Sequence, residues 1–270
     1  MDEEIREMQE NTDLNTSISQ SQSQSQSQSQ SQSSSSSQTS QSSMSSSGFT
    51  RQINAENEFQ IYEGSPNNDT LNLSPDKDID VLAFARGGDD TINGGDGDDT
   101  FFGAMGDDSI RGNEDSDDIY GDAGSDVLFG GGDEDLIYGD EDNDSIRGGN
   151  DDDTLYGGAG DDTLTGSTGT DRIVGNAGKD ILNGGSDSDL LYGGEGTDLF
   201  YLQEDDINTD YILDFELGVD KFGISDNVSY EDLTITGDAN SFISYENNRV
   251  AVVLGVSPSE LGSDNFRSQL

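Results

Sequence analysis

The sequence predicts an all-β protein whose central part is a solenoid of two facing sheets. Residues 85–201 divide into thirteen consecutive nonapeptides without an insertion. The sixth residue of every nonapeptide is Asp, and the eighth is always large and apolar. A short fixed period of this kind indicates a solenoid built from one repeated unit, because a disordered chain has no physical reason to preserve it. We expect a disordered Ser/Gln-rich tail at 1–63, irregular leading repeats at 64–84 and a small β-rich cap at 202–270.

The composition limits the classes of function. The formal net charge is -47, from 58 acidic and 11 basic residues, and 29% of the residues are hydrophobic. Such a charge opposes compaction unless cations neutralise it, and it argues against nucleic acid as a partner, since phosphates require Lys and Arg. The chain contains neither Cys nor His, which removes thiolate metal sites, His-based nucleophile pairs and most zinc sites. Composition alone favours disorder, whereas the strict period favours a chain that folds on cations.

The first 84 residues contain a tail and two looser repeats. A Ser/Gln tract runs from Ser17 to Ser47, and it has too little apolar surface to offset the entropy of ordering. The N-terminal residues lack the apolar run of a secretory signal peptide. No apolar run in the chain is long enough to span a membrane. The two looser copies of the nonapeptide begin at Gly64 and Pro75.

Two residue series run through the thirteen regular repeats. The sixth-position residues are Asp90, Asp99, Asp108, Asp117, Asp126, Asp135, Asp144, Asp153, Asp162, Asp171, Asp180, Asp189 and Asp198. The eighth-position residues are Ile92, Phe101, Ile110, Ile119, Leu128, Ile137, Ile146, Leu155, Leu164, Ile173, Leu182, Leu191 and Phe200. Each repeat therefore offers one carboxylate and one apolar side chain at a constant distance along the chain.

Each nonapeptide predicts a turn followed by a strand. The first residue is Gly in twelve copies, with Ala85 as the exception, and the fourth is Gly in eight copies and Asp in five. Gly, and after it Asp and Asn, tolerates the positive φ angles of tight turns. The last three residues predict a short strand whose middle residue, the eighth, points inward. Two facing repeats would then form a flattened coil of eighteen residues with a thin apolar core.

The ninth position supports this period of eighteen residues. One set of alternate repeats carries Phe102, Tyr120, Tyr138, Tyr156, Val174 and Tyr192, and the other carries Asn93, Arg111, Phe129, Arg147, Thr165, Asn183 and Tyr201. If alternate repeats belong to different sheets, the first set stacks at about 4.8 Å per strand on one outer face. Such an aromatic ladder either stabilises a thin sheet or offers a docking surface to a glycan or another subunit.

The sixth-position Asp residues are the candidate metal ligands. Stacked coils would place them in columns, where bare carboxylates repel one another strongly and a cation between the turns removes the conflict. The available ligands are carboxylate and backbone carbonyl oxygens on flexible turns, which favours Ca²⁺ over Mg²⁺ and over softer metals. If each ion contacts turns two repeats apart, the array allows up to about 11 ions. Irregular ends, and Arg172 or Lys179 near the sites, would lower this number.

The chain after Leu202 lacks the nonapeptide and predicts a cap. The runs Leu233–Thr236, Ser241–Tyr245 and Arg249–Leu254 are rich in apolar residues and predict short strands. The stretch from Ser257 to Glu260 resembles a capping box with Pro at the first helical position, and so predicts one short helix. A solenoid needs a terminal segment of this kind to cover the apolar edge of its last coil.

The pattern G-G-x-G-x-D-x-U-x, in which U is a large apolar residue, is intact from Gly94 and from Gly193. It resembles the RTX family of hemolysin-type calcium-binding repeats. The resemblance covers 85–201 firmly and 64–84 loosely. It implies a parallel β-roll with calcium in the turns, held by the sixth-position Asp residues and by turn carbonyls. Residues 210–215 and 218–222 also resemble the segment that closes RTX arrays, which implies export by a type I transporter directed by the C-terminus.

We therefore expect a secreted, extracellular bacterial protein that binds calcium, stays unfolded in calcium-poor cytosol and folds outside the cell. Its expected role is surface-structural or adhesive, with a glycan or cell-surface partner. A carbohydrate-binding or self-assembling module that uses the aromatic face is the alternative, and an accessory part of a secreted hydrolase is a further one. We do not expect an enzyme, because H-E-x-x-H and G-x-S-x-G, the motifs of RTX metalloproteases and lipases, do not occur.

Overall fold

The structure, a computed structural model, describes residues 48–53, 59–73, 79–203, 208–225 and 227–268. The Ser/Gln tract lies outside these residues. The last part of the tail predicted at 1–63 is described, however, and it differs from the prediction: Thr50–Ile53 and Phe59–Glu63 form paired strands, because they extend one sheet of the solenoid. The described part confirms the predicted fold class, since it is a parallel β-solenoid. Its helical segments are two 3₁₀ turns, Tyr230–Asp232 and Ser263–Asn265.

The described strands form two sheets. In chain order they are β1 (Thr50–Ile53), β2 (Phe59–Glu63), β3 (Thr70–Asn72), β4 (Asp80–Phe84), β5 (Thr91–Asn93), β6 (Thr100–Met105), β7 (Ser109–Asn113), β8 (Asp118–Ala123), β9 (Val127–Gly131), β10 (Leu136–Glu141), β11 (Ser145–Gly149), β12 (Thr154–Ala159), β13 (Thr163–Thr168), β14 (Arg172–Gly178), β15 (Ile181–Ser186), β16 (Leu190–Gly196), β17 (Leu199–Tyr201), β18 (Asp210–Ile212), β19 (Lys221–Ile224), β20 (Leu233–Gly237), β21 (Ser241–Tyr245), β22 (Asn248–Val253) and β23 (Phe266–Ser268). Sheet A has the order β1-β2-β4-β6-β8-β10-β12-β14-β16-β18-β22-β21-β20, and sheet B has the order β23-β19-β17-β15-β13-β11-β9-β7-β5-β3.

Strands pair with the strand two repeats away, which confirms the period of eighteen residues. Ile137 lies opposite Ile119 on one side and opposite Leu155 on the other, all in parallel register. Successive repeats therefore alternate between sheet A and sheet B. Because the repeat contains no insertion over residues 85–201, the same side-chain position recurs at the same place in every coil.

The core lies between the two sheets and is formed by the eighth-position residues. All thirteen of these side chains are between 0 and 2% exposed. Since each comes from the middle of a strand whose neighbours point outward, the core is one side chain thick on each side. This confirms the thin apolar filling predicted from the repeat.

The strands are longer than the three residues predicted for them. β8 runs for six residues from Asp118 to Ala123 and so continues through Gly121 into the next repeat. The glycine half of the repeat is therefore only partly turn. Gly121 itself is buried and faces inward in the strand alternation, which places backbone rather than a side chain at that point of the interior.

The leading repeats join both sheets. Leu71 of β3 is buried beside Ile92 and follows the copy that begins at Gly64. The copy that begins at Pro75 is out of register by one residue, because Ala83 rather than Leu82 lies opposite Phe101 and is buried. β1 pairs antiparallel with β2 and covers this end of sheet A.

The sheets continue beyond Tyr201, where the nonapeptide ends. β18 and β19 extend sheets A and B, and the three predicted later strands form as β20, β21 and β22. The rings of Phe215 and Phe222 stack with centroids 4.3 Å apart at this end of the core. The helix predicted from Ser257 is wrong. The N–H of Ser257 donates to Oε2 of Glu260 at 3.0 Å, but the chain forms only a turn, because Leu261 packs into the core and the chain then returns to sheet B as β23.

Candidate metal centre

The sixth-position Asp residues form two columns, one before the strands of each sheet. The column before sheet A contains Asp99, Asp117, Asp135, Asp153, Asp171 and Asp189, and the column before sheet B contains Asp90, Asp108, Asp126, Asp144, Asp162, Asp180 and Asp198. All thirteen are 0 to 4% exposed. The structure thus brings together the residues that the sequence singled out, through the stacking of coils eighteen residues apart.

One carboxylate oxygen of each column Asp is held by the neighbouring coil. Oδ1 of Asp126 accepts a hydrogen bond from the backbone N–H of Asp108 at 2.7 Å. Oδ1 of Asp144 accepts the equivalent bond from Asp126 at 2.8 Å. This ladder fixes the orientation of each side chain, because a short charge-assisted bond to backbone leaves the carboxylate little freedom to rotate.

In most of the column Asp residues, the second carboxylate oxygen, Oδ2, is buried and makes no hydrogen bond. This holds for Asp90, Asp108, Asp117, Asp126, Asp135, Asp144, Asp153, Asp162, Asp171, Asp180 and Asp198. Asp99 differs, because the N–H of Gly95 donates to its Oδ2 at 3.5 Å. A buried carboxylate oxygen without a partner is costly. The repetition of the same orphaned atom in coil after coil indicates that a ligand belongs there.

The first-position Gly of most repeats leaves room beside this oxygen. A Cβ added to Gly121 would collide with Oδ2 of Asp126 and would lie 2.9 Å from the carbonyl oxygen of Gly139, one coil further on. The carboxylate oxygen of one coil and the carbonyl oxygen of the next therefore border the same small space. The sequence predicts positive φ for the Gly or Asp at the fourth position, and the structure confirms it, as at Asp142 (74°); several second positions also have positive φ, as at Asp122 (71°). Glycine at the first position has a different cause, which is the lack of room for a Cβ.

Burial raises the pKa values of most column Asp residues, and several of them reach neutrality or above. Desolvation by burial, opposed by the backbone hydrogen bond and reinforced by neighbouring carboxylates, raises the pKa of Asp108 to about 7. The same causes raise the pKa of Asp144 and of Asp153 to about 8, and that of Asp117 to about 9. Without a cation, these groups would hold protons near neutral pH.

The donor set fits a hard cation that accepts backbone oxygens. Within the described residues, no group of three or more His, Cys, Asp or Glu side chains is close enough together to hold a metal. Each column therefore supplies one carboxylate per coil, and turn carbonyls such as that of Gly139 must complete the coordination shell. An all-oxygen site that combines carboxylates and carbonyls suits Ca²⁺, which takes 6–8 such ligands. The Oδ2 atoms without a hydrogen-bond partner are oxygen ligands of this kind.

Two aspartates outside the regular repeats end the column before sheet B. The N–H of Asp69 donates to Asp90 at 2.6 Å, and Asp220 accepts from the N–H of Asp198 at 3.0 Å. In both, Oδ2 is occupied by backbone: Ser65 N–H at 2.5 Å for Asp69, and Glu216 N–H at 2.7 Å for Asp220. These two residues form the ends of the column. Asp69 could have been found from the sequence, because it is the sixth residue of the looser copy that begins at Gly64.

Asp214 is a further residue that the sequence did not single out for the site. Its carboxylate accepts hydrogen bonds from the N–H groups of Gly193 at 2.9 Å and Gly194 at 2.7 Å. In a regular coil the first-position N–H bonds a carbonyl of the next coil, as Gly94 does with Arg111 at 2.8 Å. Burial raises the pKa of Asp214 to about 6. At the last glycine turn, the Asp214 carboxylate thus takes the place of the carbonyl acceptor that a further regular coil would supply.

The comparisons with known proteins fall on the same residues. Six overlapping segments match the family model described as "RTX calcium-binding nonapeptide repeat (4 copies)", namely 83–110, 102–137, 111–146, 129–164, 138–173 and 165–200. None of the curated proteins compared matches the chain. Among solved structures, the extracellular lipase LipA from Serratia marcescens matches with a TM-score of 0.36 and 17% identity. That match covers 63% of this chain and 40% of the lipase chain, so the lipase is considerably longer than the part it shares. In the described part, no helix is both long and apolar enough to cross a bilayer.

Proposed function

Since residues 83–200 belong to the family of RTX calcium-binding nonapeptide repeats, we propose that this chain is a secreted bacterial protein that folds on extracellular calcium and serves a surface-structural or adhesive role. Calcium binding is the general property of the repeats. The proposal adds that folding of this chain depends on it and that type I export delivers the chain unfolded. We also propose that the chain is not an enzyme.

The observation that carries the proposal is the series of buried Asp oxygens without a partner. In a coil such as that of Asp126, Oδ1 is held by backbone while Oδ2 faces Gly121 and has no hydrogen bond. The column Asp residues, together with turn carbonyls, would hold the ions. When bound, calcium supplies the positive charge that offsets the buried carboxylates. Ligand binding to the folded state alone then stabilises that state.

The charge of the chain supports the same dependence. With a net charge of -47, the chain repels itself in calcium-poor cytosol, which favours an extended state suited to export. Extracellular calcium-binding modules have dissociation constants on the order of 10⁻⁴–10⁻³ M, a range in which the array would remain empty inside a cell. The fold would then form outside, where calcium is more abundant.

The aromatic ladder supports a structural role more than a sugar-binding one. Phe84, Phe102, Tyr120, Tyr138 and Tyr156 stack with centroids 4.7–5.2 Å apart and planes within 9° of parallel. Each internal ring is therefore covered on both faces by its two neighbours. A ring that contributes both faces to its neighbours presents only its edge to solvent. The ring face that would pack against a sugar is already covered by a neighbouring ring. This favours stabilisation of the sheet, rather than sugar binding, as the role of the ladder.

Calcium titration of EDTA-treated protein tests the proposal. We expect a cooperative gain of the β signal in far-UV circular dichroism with calcium and none with magnesium at the same concentration, because Mg²⁺ prefers a tighter octahedron with retained waters. If the protein is already folded without calcium, or magnesium serves equally well, ion-driven folding is wrong and the Asp columns need another explanation.

A further inference from the structure

The two outer faces of the roll carry patches of opposite charge. On sheet B, Arg111, Phe129 and Arg147 lie on three consecutive strands, and we call this the arginine patch. On sheet A, Asp118, Asp122 and Asp140 surround the middle of the aromatic ladder, and we call this the acidic patch. Both sheets turn their eighth-position residues inward, so the two patches face away from each other on opposite sides of the molecule.

The arginine patch presents two exposed cations on a flat surface. The guanidinium carbons of Arg111 and Arg147 lie 5.1 and 5.5 Å from the centre of the Phe129 ring, one on the strand to each side. In the described part, neither guanidinium lies within 4.0 Å of a carboxylate, although the chain has 58 acidic residues. Nε of Arg147 donates to Oγ of Ser167 at 2.9 Å, which leaves its terminal nitrogens facing solvent. Val127 beside them is 46% exposed.

The acidic patch crowds carboxylates around two phenols. Asp122 lies directly opposite Asp140 on the neighbouring strand, as Tyr120 lies opposite Tyr138. Like charges directly opposite each other destabilise a sheet. Asp118, Asp122 and Asp140 are all close enough to act electrostatically on the phenol of Tyr120. A cationic partner would relieve this repulsion, whereas the chain itself places no Arg or Lys in the two strands, β8 and β10, that carry the patch.

The two patches also lie at the same height along the roll. The arginine patch occupies β7, β9 and β11, and the acidic patch occupies β8 and β10, which belong to the intervening repeats. Both faces have the same strand spacing, since they belong to the same coils. Two rolls placed side by side in parallel would therefore bring each Arg of one copy to the carboxylates of the other without a shift along the axis.

We infer that a second copy of this chain docks its arginine patch on the acidic patch of the first, so that folded rolls assemble side by side. The contact joins two different faces. One copy keeps its acidic patch free and the other keeps its arginine patch free, so further copies can add at both ends and the assembly is open-ended. Carboxylates pair with guanidinium groups through charge-assisted hydrogen bonds. Contact between two acidic patches would instead oppose like charges. The inference rests on the proposed function only in requiring the calcium-folded roll.

Sedimentation velocity of the full chain in calcium, over a range of concentrations, tests this inference. We expect the average mass to rise with concentration and the association to weaken at high salt. Arg111→Glu/Arg147→Glu should weaken self-association by at least roughly tenfold, because two charge pairs become repulsive. Arg267→Glu reverses the charge of an exposed side chain on β23, the last strand of sheet B, and should leave association unchanged. Circular dichroism shows whether each variant is folded, and Arg111→Gln/Arg147→Gln serves if the double Glu variant is not.

Mixing two variants distinguishes this contact from any other. Asp122→Asn/Asp140→Asn weakens the acidic patch, and Asn tolerates the positive φ of both positions. Each double variant alone should associate more weakly than the wild type, whereas the Arg→Glu variant and the Asp→Asn variant together should form a one-to-one complex through the intact patch of each. A folded wild type that stays monomeric, or an Arg→Glu variant that associates normally, overturns the inference. Assembly of a protein that folds equally well without calcium would support the inference and overturn the proposed function.

Discussion

The backbone N–H of Asp90 donates to Oδ1 of Asp108 across 2.7 Å, although the two residues are eighteen positions apart. The same bond joins each column Asp to the next, so every coil orients the carboxylate of its neighbour. Because Oδ1 is used in this way, Oδ2 is left beside a first-position glycine in most repeats. The ladder thus creates a row of equivalent oxygen sites from a single repeated hydrogen bond.

Replacing Asp108 by Asn should weaken calcium binding and stabilise the calcium-free protein. The amide can keep the bond from Asp90 N–H, but it loses the charge of an orphaned buried oxygen. Asp107→Asn is the matched control, since Asp107 is an exposed neighbour that accepts from Ser125 N–H at 2.9 Å. Calorimetric titration should show affinity lower by on the order of 10–100-fold at the affected sites for Asp108→Asn and little change for Asp107→Asn. Equal loss in both variants would show that net charge, not the buried oxygen, governs binding.

Replacing Gly139 by Ala should destabilise the calcium-loaded roll by about 1–3 kcal/mol through overpacking. The added Cβ would collide with Oδ2 of Asp144 and lie 2.5 Å from the carbonyl oxygen of Gly157. Gly262→Ala is the control, because nothing lies within 4 Å of a Cβ at that position. Urea unfolding in saturating calcium would measure both. Similar midpoints for the two variants would contradict the assigned role of the first-position glycine.

Acid should fold the calcium-free protein and release calcium from the loaded one. The pKa of Asp135 and of Asp180 is raised by burial from 3.8 to about 7, so the folded state binds more protons than the unfolded state between these pH values. This contribution to stability is fully present below pH 3.8 and is lost as pH rises through about 7. With EDTA present, the β signal should grow on acidification from neutral pH to about 5. A β signal that is flat or falls over that interval would contradict the buried, uncompensated carboxylates.

Replacing Tyr138 by Leu should destabilise the calcium-loaded roll, because the ring stacks on Tyr120 at 5.2 Å and on Tyr156 at 4.7 Å. Each stacked pair contributes about 0.5–1.5 kcal/mol beyond its buried area. Tyr211→Leu is the matched control: this half-buried Tyr lies beside Leu190 and Val252 in sheet A, and it stacks on no ring among the described residues. Thermal unfolding should separate the two variants. Equal shifts would mean that apolar burial, rather than ring stacking, makes the ladder stable.

Most of the fold could be predicted because the repeat is regular. Ile119 and Leu155 were assigned to the core from their eighth position alone, and the aromatic stack from Phe102 to Tyr156 followed from the ninth. Within the regular array the strands are longer than predicted, as in β8, and the other differences lie where the repeat loosens. The copy from Pro75 is out of register with the array by one residue, and the chain after Ser257 forms a turn instead of the predicted helix. At these places the contacts with the next coil, which differ from those in the regular array, determine the local structure.

The period, the inward residue, the alternation between two sheets and the carboxylate of every repeat can all be predicted from the chain, because each of these features recurs along it. The tertiary structure was needed to show that Oδ2 is the oxygen left without a partner in most column Asp residues, and why glycine stands first in most repeats. It also decided that Asp69, Asp214 and Asp220 close the ends. These features arise between residues about eighteen positions apart, where a coil meets its neighbour, and a pattern read along one repeat does not contain that contact.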